Sequence, residues 1–509
     1  MPELISTMIY LALWLVATVF ALIRWVHNLQ LNSYKNKTQL RRFKETPEKL
    51  FCLIPAAIAM GFALQPRLWG QIMACLWMFS ACLFLRPAKA KKPLVYTTRV
   101  WRLLATSGVL MAACGVVGYW LPFVPALALS LSPFVLMLAN LLNAPIEKAV
   151  RNWYINDAKR MLLESHDLLM LGVTGSYGKT SVKSYLGTLL NVGFDTLITP
   201  ESYNTPMGVV RTVRERLRPT HQVFVCEMGA RHVGDIKELC DLVHPKHGLI
   251  TAVGNQHLET FGSPDNVRKT KYELADSLPT DGLLYVNWDC DAIRQNPPKH
   301  AYITYGLSEG CDYRAVEVEY TPAGTSFAVI APDGQKQTYR TSLIGEHSVL
   351  NLTGAIAFCH GLGIPMADLA PAVRKVKGVP HRMQLLPGPI TYIDDAYNSN
   401  PAGCKAALET LAQFDACRIL VTPGMVELGD DMEKENENFG RLASKVCHLC
   451  VLVGQRQAAP IKAGLLAEGF PEENIAVVDT LQEGLSRVHS FYSDKKKVVL
   501  LENDLPDNY

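Results

Sequence analysis

The chain has 509 residues, enough for about three domains. Its 50 basic and 47 acidic residues nearly cancel, so the overall charge gives no reason to expect a nucleic-acid partner. Residues 1–145 are dominated by Leu, Ala, Val, Phe, Met and Trp, whereas the remainder has the mixed composition of a soluble enzyme. The 13 cysteines show no regular framework, which is typical of a reducing cytosol. Cys447 and Cys450 form a single CxxC, and without a second pair we expect buried packing rather than a zinc site.

Five apolar runs fill the first 145 residues and predict a helical transmembrane region. A bilayer core needs about 20 residues of helix, and the first run is that long. It has no basic residues before it and no small-residue cleavage site after it, so we interpret it as an anchor rather than a cleaved signal peptide. The second and third runs are separated only by Gln65-Pro66-Arg67, and a re-entrant pair is the alternative to two crossings there. The predicted spans are residues 4–23, 50–64, 68–85, 103–121 and 122–142.

Basic residues orient these spans, because short loops rich in Lys and Arg stay in the cytoplasm. The two basic loops lie between the first and second runs and between the third and fourth runs, whereas the opposite side has Arg67 alone. Five crossings with the N-terminus outside satisfy this distribution and deliver the chain after Leu142 to the cytoplasm. We therefore expect a multi-pass protein of the inner cell membrane with cytoplasmic catalytic domains. The loop residues are Arg24, Lys35, Lys37, Arg41, Arg42, Lys44, Lys49, Arg86, Lys89, Lys91, Lys92, Arg99 and Arg102.

From Asp167 onward, apolar strands alternate with amphipathic stretches, which predicts an α/β domain with a parallel sheet and crossover helices. Residues 302–344 are more polar and β-like, and Asp333-Gly334 predicts a hairpin there. A second α/β set begins near Pro389. We assign a central ATP-binding domain to residues 150–384 and a Rossmann-like C-terminal α/β domain to residues 385–509.

The stretch "VTGSYGKTS" combines the end of a strand, a glycine turn and the start of a helix. Gly175 and Gly178 allow backbone N–H groups to turn toward phosphate oxygens, Lys179 adds positive charge, and Thr180 offers a hydroxyl to Mg²⁺. The eight-residue Walker A pattern requires glycine where the chain has Val173, so the shorter T-G-x-x-G-K-T form applies. The predicted nucleotide-binding residues of this loop are Gly175, Ser176, Tyr177, Gly178, Lys179, Thr180 and Ser181.

A second strand, "VFVCE", ends in Glu227, which would stand at the carboxyl edge of the sheet beside the phosphate loop. Carboxylate oxygens are ligands that Mg²⁺ prefers. An acid after a strand is commonly a solvated loop residue, and only the neighbouring phosphate loop favours a metal ligand here.

The segment "NQHLETFGSPDNVRKTKYELAD" resembles the H-L-E-x-F-G-S and K-x-K-x-E segments of the Mur ligases, nearest to the members that add D-alanyl-D-alanine. The resemblance implies that His257 helps to hold a second Mg²⁺. It also implies that Lys271, fourteen residues later, is carbamoylated so that its new carboxylate bridges metal. Taken alone, the two residues would be interpreted as a helix-start histidine and one of several solvated basic residues.

Five further segments resemble the same family in the same order, so that the resemblance covers about residues 167–500. "ESYNTPMGVV" resembles a loop near the phosphates, "GEHSVLNLTGAIA" a helix near adenine, and "GVPHRMQ" a hinge whose arginine points to the γ-phosphate. "YIDDAYNSNPAG" and "VTPGMVELGDD" resemble motifs of the C-terminal domain. The nucleotide contacts that the resemblance implies are Asn204, Thr205, Asn351, Arg382, Asp394, Asp395, Tyr397 and Asn398.

The chain departs from the family pattern in two places. The hinge has His381-Arg382-Met383-Gln384 where the pattern has Gly-Arg-x-Glu. The family's soluble N-terminal module, which holds the UDP end of the precursor, has no counterpart in the apolar residues 1–145.

The resemblance implies a membrane-anchored ligase that uses ATP and Mg²⁺ to form an amide bond through an acyl phosphate. The expected partners are a peptidoglycan-precursor-like acceptor, soluble or lipid-linked, and an amino acid or dipeptide. The implied catalytic residues are Lys179, His257, Lys271 and Arg382, and the implied metal ligands are Thr180, Glu227, His257 and Lys271. Two alternatives stay open: a ligase of the folylpolyglutamate type, and an inactive membrane scaffold of an envelope assembly complex.

Overall fold

The structure is a computed structural model that describes residues 2–45, 79–80, 83, 92–118, 120–121, 123–254, 258–321, 324–397, 399–426, 428 and 431–504. The chain divides into two compact units, Met1–Trp153 and Tyr154–Tyr509. Most of the predicted spans 50–64 and 68–85 lie outside the described residues.

The first unit is helical. Its helices are α1 (Pro2–Leu31), α2 (Asn36–Glu45), α3 (Thr98–Val117), α4 (Val124–Ser130) and the start of α5 (Ser132–Glu164), which continues into the second unit. Of the helices described, two are long and apolar enough to cross a membrane, over Met8–Leu31 and Thr98–Val117. The pair α4 and α5 qualifies only if both helices form one span, because they are bent by 75°.

The apolar run 122–142 differs from a straight span because the helix breaks at Leu131. Pro133 explains the break, since it has no N–H to donate and its ring clashes with the preceding turn. The Ser130 hydroxyl also donates to the carbonyl of Ala126 at 2.9 Å, a local bond that competes with regular helix. Likewise α3 begins at Thr98, five residues before the predicted start of its span, because Thr97 caps it by accepting from the N–H of Val100.

The second unit is built on a mixed nine-stranded sheet in the order β2-β3-β1-β4-β5-β6-β7-β8-β9. The pairs from β2 to β7 are parallel, whereas β8 pairs antiparallel with both β7 and β9. The strands are β1 (Leu169–Thr174), β2 (Thr196–Ile198), β3 (Val223–Glu227), β4 (His247–Ile250), β5 (Leu284–Asn287), β6 (Ile303–Gly306), β7 (Tyr313–Thr321), β8 (Gly324–Ile330) and β9 (Lys336–Thr341). The hairpin predicted at Asp333-Gly334 is confirmed as the turn between β8 and β9.

Helices cover both faces of this sheet. Successive residues of a strand point to opposite faces, so each strand contributes side chains to both apolar cores. Leu171 and Val173 of β1 join one apolar core and Met170 joins the other. The helices of the domain are α6 (Lys179–Leu190), α7 (Pro206–Arg216), α8 (Asp235–Val243), α9 (Leu258–Phe261), α10 (Pro264–Asp276), α11 (Asp291–Gln295), α12 (Glu346–Gly361) and α13 (Met366–Lys375).

A six-stranded sheet follows in the order β10-β11-β15-β12-β13-β14, parallel except at the β10–β11 pair. Cys447 and Cys450 are buried in its apolar core without a disulfide, so the expectation of packed cysteines is confirmed. Its strands are β10 (Gln384–Leu386), β11 (Thr391–Asp395), β12 (Cys417–Thr422), β13 (Leu449–Val453), β14 (Ile475–Val478) and β15 (Lys497–Glu502). Its helices are α14 (Pro401–Ala412), α15 (Met432–Ser444), α16 (Ala458–Ala467) and α17 (Leu481–Ser490).

The strand order places the functional loops at one edge. Strand β1 lies between β3 and β4, so the chain passes from one side of β1 to the other. Ligands of open α/β sheets bind in the crevice that such a switch leaves beyond the carboxyl ends of the strands. The loop after Thr174, the carboxylate of Glu227 and the loop after Ile250 all lie at this edge.

Candidate active site

The loop between β1 and α6 requires glycine at two positions. Gly175 and Gly178 have φ angles of 148° and 79°, which L side chains rarely adopt. A Cβ atom on Gly175 would lie 2.0 Å from the hydroxyl oxygen of Thr251, and one on Gly178 would lie 2.7 Å from Oδ1 of Asn351. The turn is therefore closely packed against the loop after β4 and against α12.

The segment after β4 is hydrogen-bonded to the loop between β1 and α6. The N–H of Ser176 donates to the carbonyl of Ala252 at 2.7 Å, and the Ser176 hydroxyl exchanges hydrogen bonds with Gly254. The hydroxyl of Thr251 donates to the carbonyls of Thr174 and Tyr177. The sequence did not single out Thr251 or Gly254, because these contacts join positions about 75 residues apart along the chain.

Lys179 begins α6 and folds back over the loop. Its ammonium donates to the carbonyls of Gly175 and Ser176 at 2.6 and 3.1 Å. Burial lowers the pKa of Lys179 to about 8, Glu227 opposes that shift, and Arg382 adds to it. The buried ammonium lies at a helix N-terminus whose first N–H groups have no helical partner. An anionic phosphate bound there would stabilise the charged form of Lys179 and accept hydrogen bonds from these N–H groups.

Glu227 is buried at the end of β3 and is surrounded by donors. Its Oε1 accepts from the Thr180 hydroxyl and from Nδ2 of Asn204, both at 3.0 Å. Its Oε2 lies 2.9 Å from the ammonium of Lys183, with which it forms a buried ion pair. Burial raises the pKa of Glu227, but the Lys183 ammonium and the other donors outweigh it, so the pKa stays below the ordinary value.

Lys271 is 2% exposed on α10. Burial holds the pKa of its amine well below the ordinary value, and the positive charge of Lys179 adds to this effect against Glu273 and Asp235. A neutral amine is the nucleophilic form of lysine, and it is the form that reacts with carbon dioxide to give a carbamate. The environment of Lys271 thus suits the modification that the sequence resemblance implies.

The site fits a magnesium ion on the chemistry of its donors. Thr180 offers a hydroxyl and Glu227 a carboxylate, and the two oxygens lie 3.0 Å apart at the carboxyl edge of the sheet, so both suit one hard cation. Within the described part of the chain, no group of three or more His, Cys, Asp and Glu side chains could hold a metal. His257, the expected histidine ligand, lies outside the described residues, so its role remains a prediction.

The other predicted residues of the central domain have local partners. The Thr205 hydroxyl caps α7 by accepting from the N–H of Gly208 at 3.4 Å. Asn351 is buried with its amide beside Gly178. Their expected contacts with phosphate and adenine stay predictions.

A second group of predicted residues lies where β10 and β11 meet. The guanidinium of Arg382 lies 4.2 Å from the centre of the Tyr397 ring. Asp394 accepts from the N–H of Ala396 at 3.2 Å, and its other oxygen lies 2.8 Å from Nδ1 of His381. The positive charge of Arg382 also lowers the pKa of Lys179, so it lies within electrostatic range of the phosphate loop. The predicted residue Asn398 lies outside the described residues.

Glu502 is a buried acid beside Asp395 that the sequence did not indicate. Burial raises the pKa of Asp395 to about 6 and that of Glu502 well above its ordinary value. The negative charge of Asp395 adds to the rise in the pKa of Glu502, so the protonated form of Glu502 is favoured. Glu502 also accepts from the Ser399 hydroxyl at 2.8 Å. No motif identifies Glu502, because it comes beside Asp395 only through the pairing of β11 with β15.

Two family descriptions match this second unit. "Mur ligase middle domain" matches residues 173–359, and "Mur ligase, glutamate ligase domain" matches residues 381–502.

Curated relatives and solved structures agree with these matches. The UDP-N-acetylmuramoyl-tripeptide–D-alanyl-D-alanine ligase of Mycobacterium tuberculosis H37Rv is 33% identical over 59% of this chain and 62% of the relative, so the chain spans under two thirds of that relative's length. The ligase of the same name from Escherichia coli K12 is 30% identical over 60% of this chain and 69% of the relative. A crystal structure of MurF from Acinetobacter baumannii is 29% identical with a TM-score of 0.62, covering 70% of this chain and 77% of the other. The structure of MurF from Thermotoga maritima in complex with ADP shares the fold, with a TM-score of 0.63 at 23% identity over 70% of this chain and 80% of the other.

Proposed function

Because this chain belongs to the Mur ligase family, we propose that it is an ATP-dependent ligase that forms an amide bond on a peptidoglycan precursor. The observation that carries the proposal is the presence of three features at one sheet edge: the glycine turn with Lys179, the buried carboxylate of Glu227, and the buried amine of Lys271 within reach of the Lys179 charge. The named relatives act on a UDP-muramoyl-tripeptide and D-alanyl-D-alanine, and this pair is the first choice of substrates to test.

The proposed reaction transfers the γ-phosphoryl group of ATP to a substrate carboxylate, after which an amine attacks the acyl phosphate. Lys179 and the N–H groups at the start of α6 would bind the phosphates and stabilise negative charge during transfer. Thr180, Glu227 and carbamoylated Lys271 would hold Mg²⁺, with His257 as a further ligand. When bound, Mg²⁺ would neutralise charge on the transferring group.

Arg382 would complete the site from the side of the C-terminal domain. Its stacking on Tyr397 and the influence of its charge on the pKa of Lys179 support this role. Asp394, Asp395 and Asn398 are proposed to reach the nucleotide from the same domain. Motion of the domain around this hinge would exclude water from the acyl phosphate.

We further propose that the first unit anchors the ligase in the inner membrane with its catalytic domains in the cytoplasm. Two apolar helices long enough to span support this proposal. Anchoring would favour a membrane-associated, polyprenyl-linked acceptor, because confinement to one surface raises its effective concentration without any new contact.

The test uses the full-length protein in lipid nanodiscs with ATP, Mg²⁺, D-alanyl-D-alanine and either a UDP-linked or a lipid-linked muropeptide. We expect phosphate release that depends on both substrates, faster with the lipid-linked acceptor, and lost in Lys179→Met. Lys237→Met, which removes an exposed lysine paired with Asp241, is the matched control and should keep full activity. Nucleotide binding without ligation of any acceptor would favour the inactive scaffold, and ligation of glutamate to a folate would favour the folylpolyglutamate alternative.

A further inference from the structure

Lys183 is a buried lysine that neither the motifs nor the proposed chemistry uses. It lies four residues after Lys179 on α6, one helical turn further from the phosphate loop, and it is 2% exposed. A buried ammonium is costly unless it is paired and hydrogen-bonded. A buried lysine at this position is therefore expected to have specific polar partners.

The ammonium of Lys183 makes two contacts with different parts of the site. It lies 2.9 Å from Oε2 of Glu227, and it donates to the backbone carbonyl of Glu201. Glu201 has a φ of 42°, a left-handed conformation that residues other than glycine rarely adopt. Lys183 thus binds the end of β3 and an unusual turn in the loop before α7 at the same time.

The same loop returns to Glu227 through another residue. Asn204, three residues after Glu201, donates from Nδ2 to Oε1 of Glu227 at 3.0 Å, and its carbonyl accepts from the N–H of Gly229. On the helix side, Thr180 donates to the same oxygen at 3.0 Å. Helix α6, strand β3 and the 201–205 loop are therefore joined in a closed network whose centre is one carboxylate.

We infer that Lys183 is a positioning residue that holds the Glu227 carboxylate and the Asn204 loop in the arrangement that binds the nucleotide-associated metal ion. This inference rests on the proposed function, because it assigns to Lys183 the support of the proposed magnesium ligand. Groups that orient a metal ligand without touching the metal commonly contribute about 10- to 100-fold to metal affinity. Lys183 differs in this from Lys179, whose proposed partner is the phosphate itself.

The experiment compares wild type, Lys183→Met, Lys183→Arg and the surface control Lys237→Met, all in full-length protein. Mn²⁺ serves as the spectroscopic probe of the metal site, and its binding in the presence of a non-hydrolysable ATP analogue is measured by electron paramagnetic resonance. Affinity for a fluorescent ATP analogue in EDTA reports the phosphate loop alone. Thermal melting reports folding.

We expect Lys183→Met to weaken Mn²⁺ binding about 10- to 100-fold, while nucleotide affinity in EDTA stays within about twofold of wild type. Lys183→Arg keeps the charge but changes the reach of the donor, so it should fall between Lys183→Met and wild type. Lys237→Met should match wild type in every assay. Parallel losses of nucleotide and metal affinity would show general damage to the fold and would overturn the inference.

Wild-type Mn²⁺ affinity in either Lys183 variant would also overturn it. If Lys183→Met does not fold, Lys183→Arg decides, with at least about a threefold loss of Mn²⁺ affinity expected at unchanged nucleotide affinity in EDTA. Failure of the proposed function has a different signature, because wild type itself would then release no phosphate with either muropeptide acceptor, whatever its affinity for Mn²⁺.

Discussion

The burial of Lys271 makes a prediction at the scale of a single residue. If its neutral amine is carbamoylated, Lys271→Ala should lose activity by at least about 100-fold, since a metal-bridging oxygen is lost. A short carboxylic acid added in solution should restore part of the activity, because it returns that oxygen. Turnover of the variant with acetate or formate, together with carbonyl NMR of the wild type labelled with ¹³C-bicarbonate, checks this prediction.

Lys271→Arg is the matched control for the charge. It retains a cation but has no amine that forms a carbamate, so it should be inactive with or without the added acid. Full activity of Lys271→Ala without any additive would exclude the metal role.

The acid pair of Asp395 and Glu502 predicts a pH dependence of stability. A carboxyl group whose pKa is raised in the folded protein keeps its proton where the unfolded chain has lost it, so stability falls as pH rises through that interval. For Asp395 the interval runs from its ordinary value of 3.8 to about 6, and Glu502 extends it upward. Glu502→Gln replaces this acid by an amide that has no proton to lose, and it should raise the melting temperature at pH 8 on the order of 5 °C.

Melting curves between pH 4 and 8 check this prediction. The rise should shrink toward pH 4, where the wild-type pair is protonated. Glu473→Gln, a change at an exposed carboxylate of the same domain, should leave the curve unaltered. An unchanged or lower melting temperature for Glu502→Gln at pH 8 would contradict the raised pKa of Glu502.

The residues that could be foreseen from sequence are those whose role is set within one loop. The glycines at 175 and 178 and the lysine after them follow local rules of turn and helix-terminus geometry, and the positive φ angles show why glycine is needed there. Lys183 and Glu502 obey no local rule. Their partners, Glu227 and Asp395, come close only after the strands pair, and neither residue type nor spacing indicates such pairs.

At the scale of an element, the hinge between the two domains contains backbone strain. His381 and Met383, on either side of Arg382, have φ angles of 59° and 49°, and glycine stands in the family pattern where this chain has His381. The left-handed backbone of His381 is accompanied by a contact of its ring with Asp394 at 2.8 Å. Glycine at this position would remove the strain but also this contact.

A comparison of two substitutions separates these effects. His381→Ala and His381→Gly both remove the imidazole, but only glycine relieves the left-handed backbone, so the glycine variant should be more stable by about 1 kcal/mol. Urea unfolding of both variants measures the difference, and Met383→Ala against Met383→Gly repeats the comparison on the other side of Arg382. Equal stability of the alanine and glycine variants would show that the backbone is not strained.

The sequence predicts whether a segment is a helix or a strand better than it predicts where the element ends or which strands pair. The alternation of buried strands and helices predicts the α/β core with a parallel sheet and crossover helices. The polar β-like patch could be recognised, but not that its strands β7, β8 and β9 extend the same sheet as β1, because pairing partners are set by packing across the domain. The helix break at Leu131 was not predicted, because the apolar run 122–142 is long enough for one straight span. Pro133 explains the break once the structure is known.

At the scale of the whole molecule, the distribution of basic residues predicts the orientation of the membrane region. A reporter that functions only in the cytoplasm should be active when fused after Asn143. A cysteine introduced at Gln65, a position outside the described residues, should react with an impermeant reagent from outside intact cells. Labelling is compared with that of the parent protein, which accounts for the native cysteines.

Lys37→Cys, in a predicted inner loop, is the control and should react only after permeabilisation. If the cysteine at Gln65 is protected in intact cells and labelled only after permeabilisation, the second and third runs do not cross as predicted, and the re-entrant alternative gains support.

The ion pair between Lys183 and Glu227 also bears on how the protein survives in a cell. Small domains whose folding free energy is supplied by a bound metal are unfolded by chelators. Here the acid has a cation partner within the chain. EDTA should therefore leave the melting temperature within about 1 °C, whereas saturating ATP with Mg²⁺ should raise it by mass action. Under this expectation a fall in free magnesium would stop the proposed reaction while the protein stays folded and resistant to proteolysis, and the reaction would resume when magnesium returns, without new synthesis of the protein.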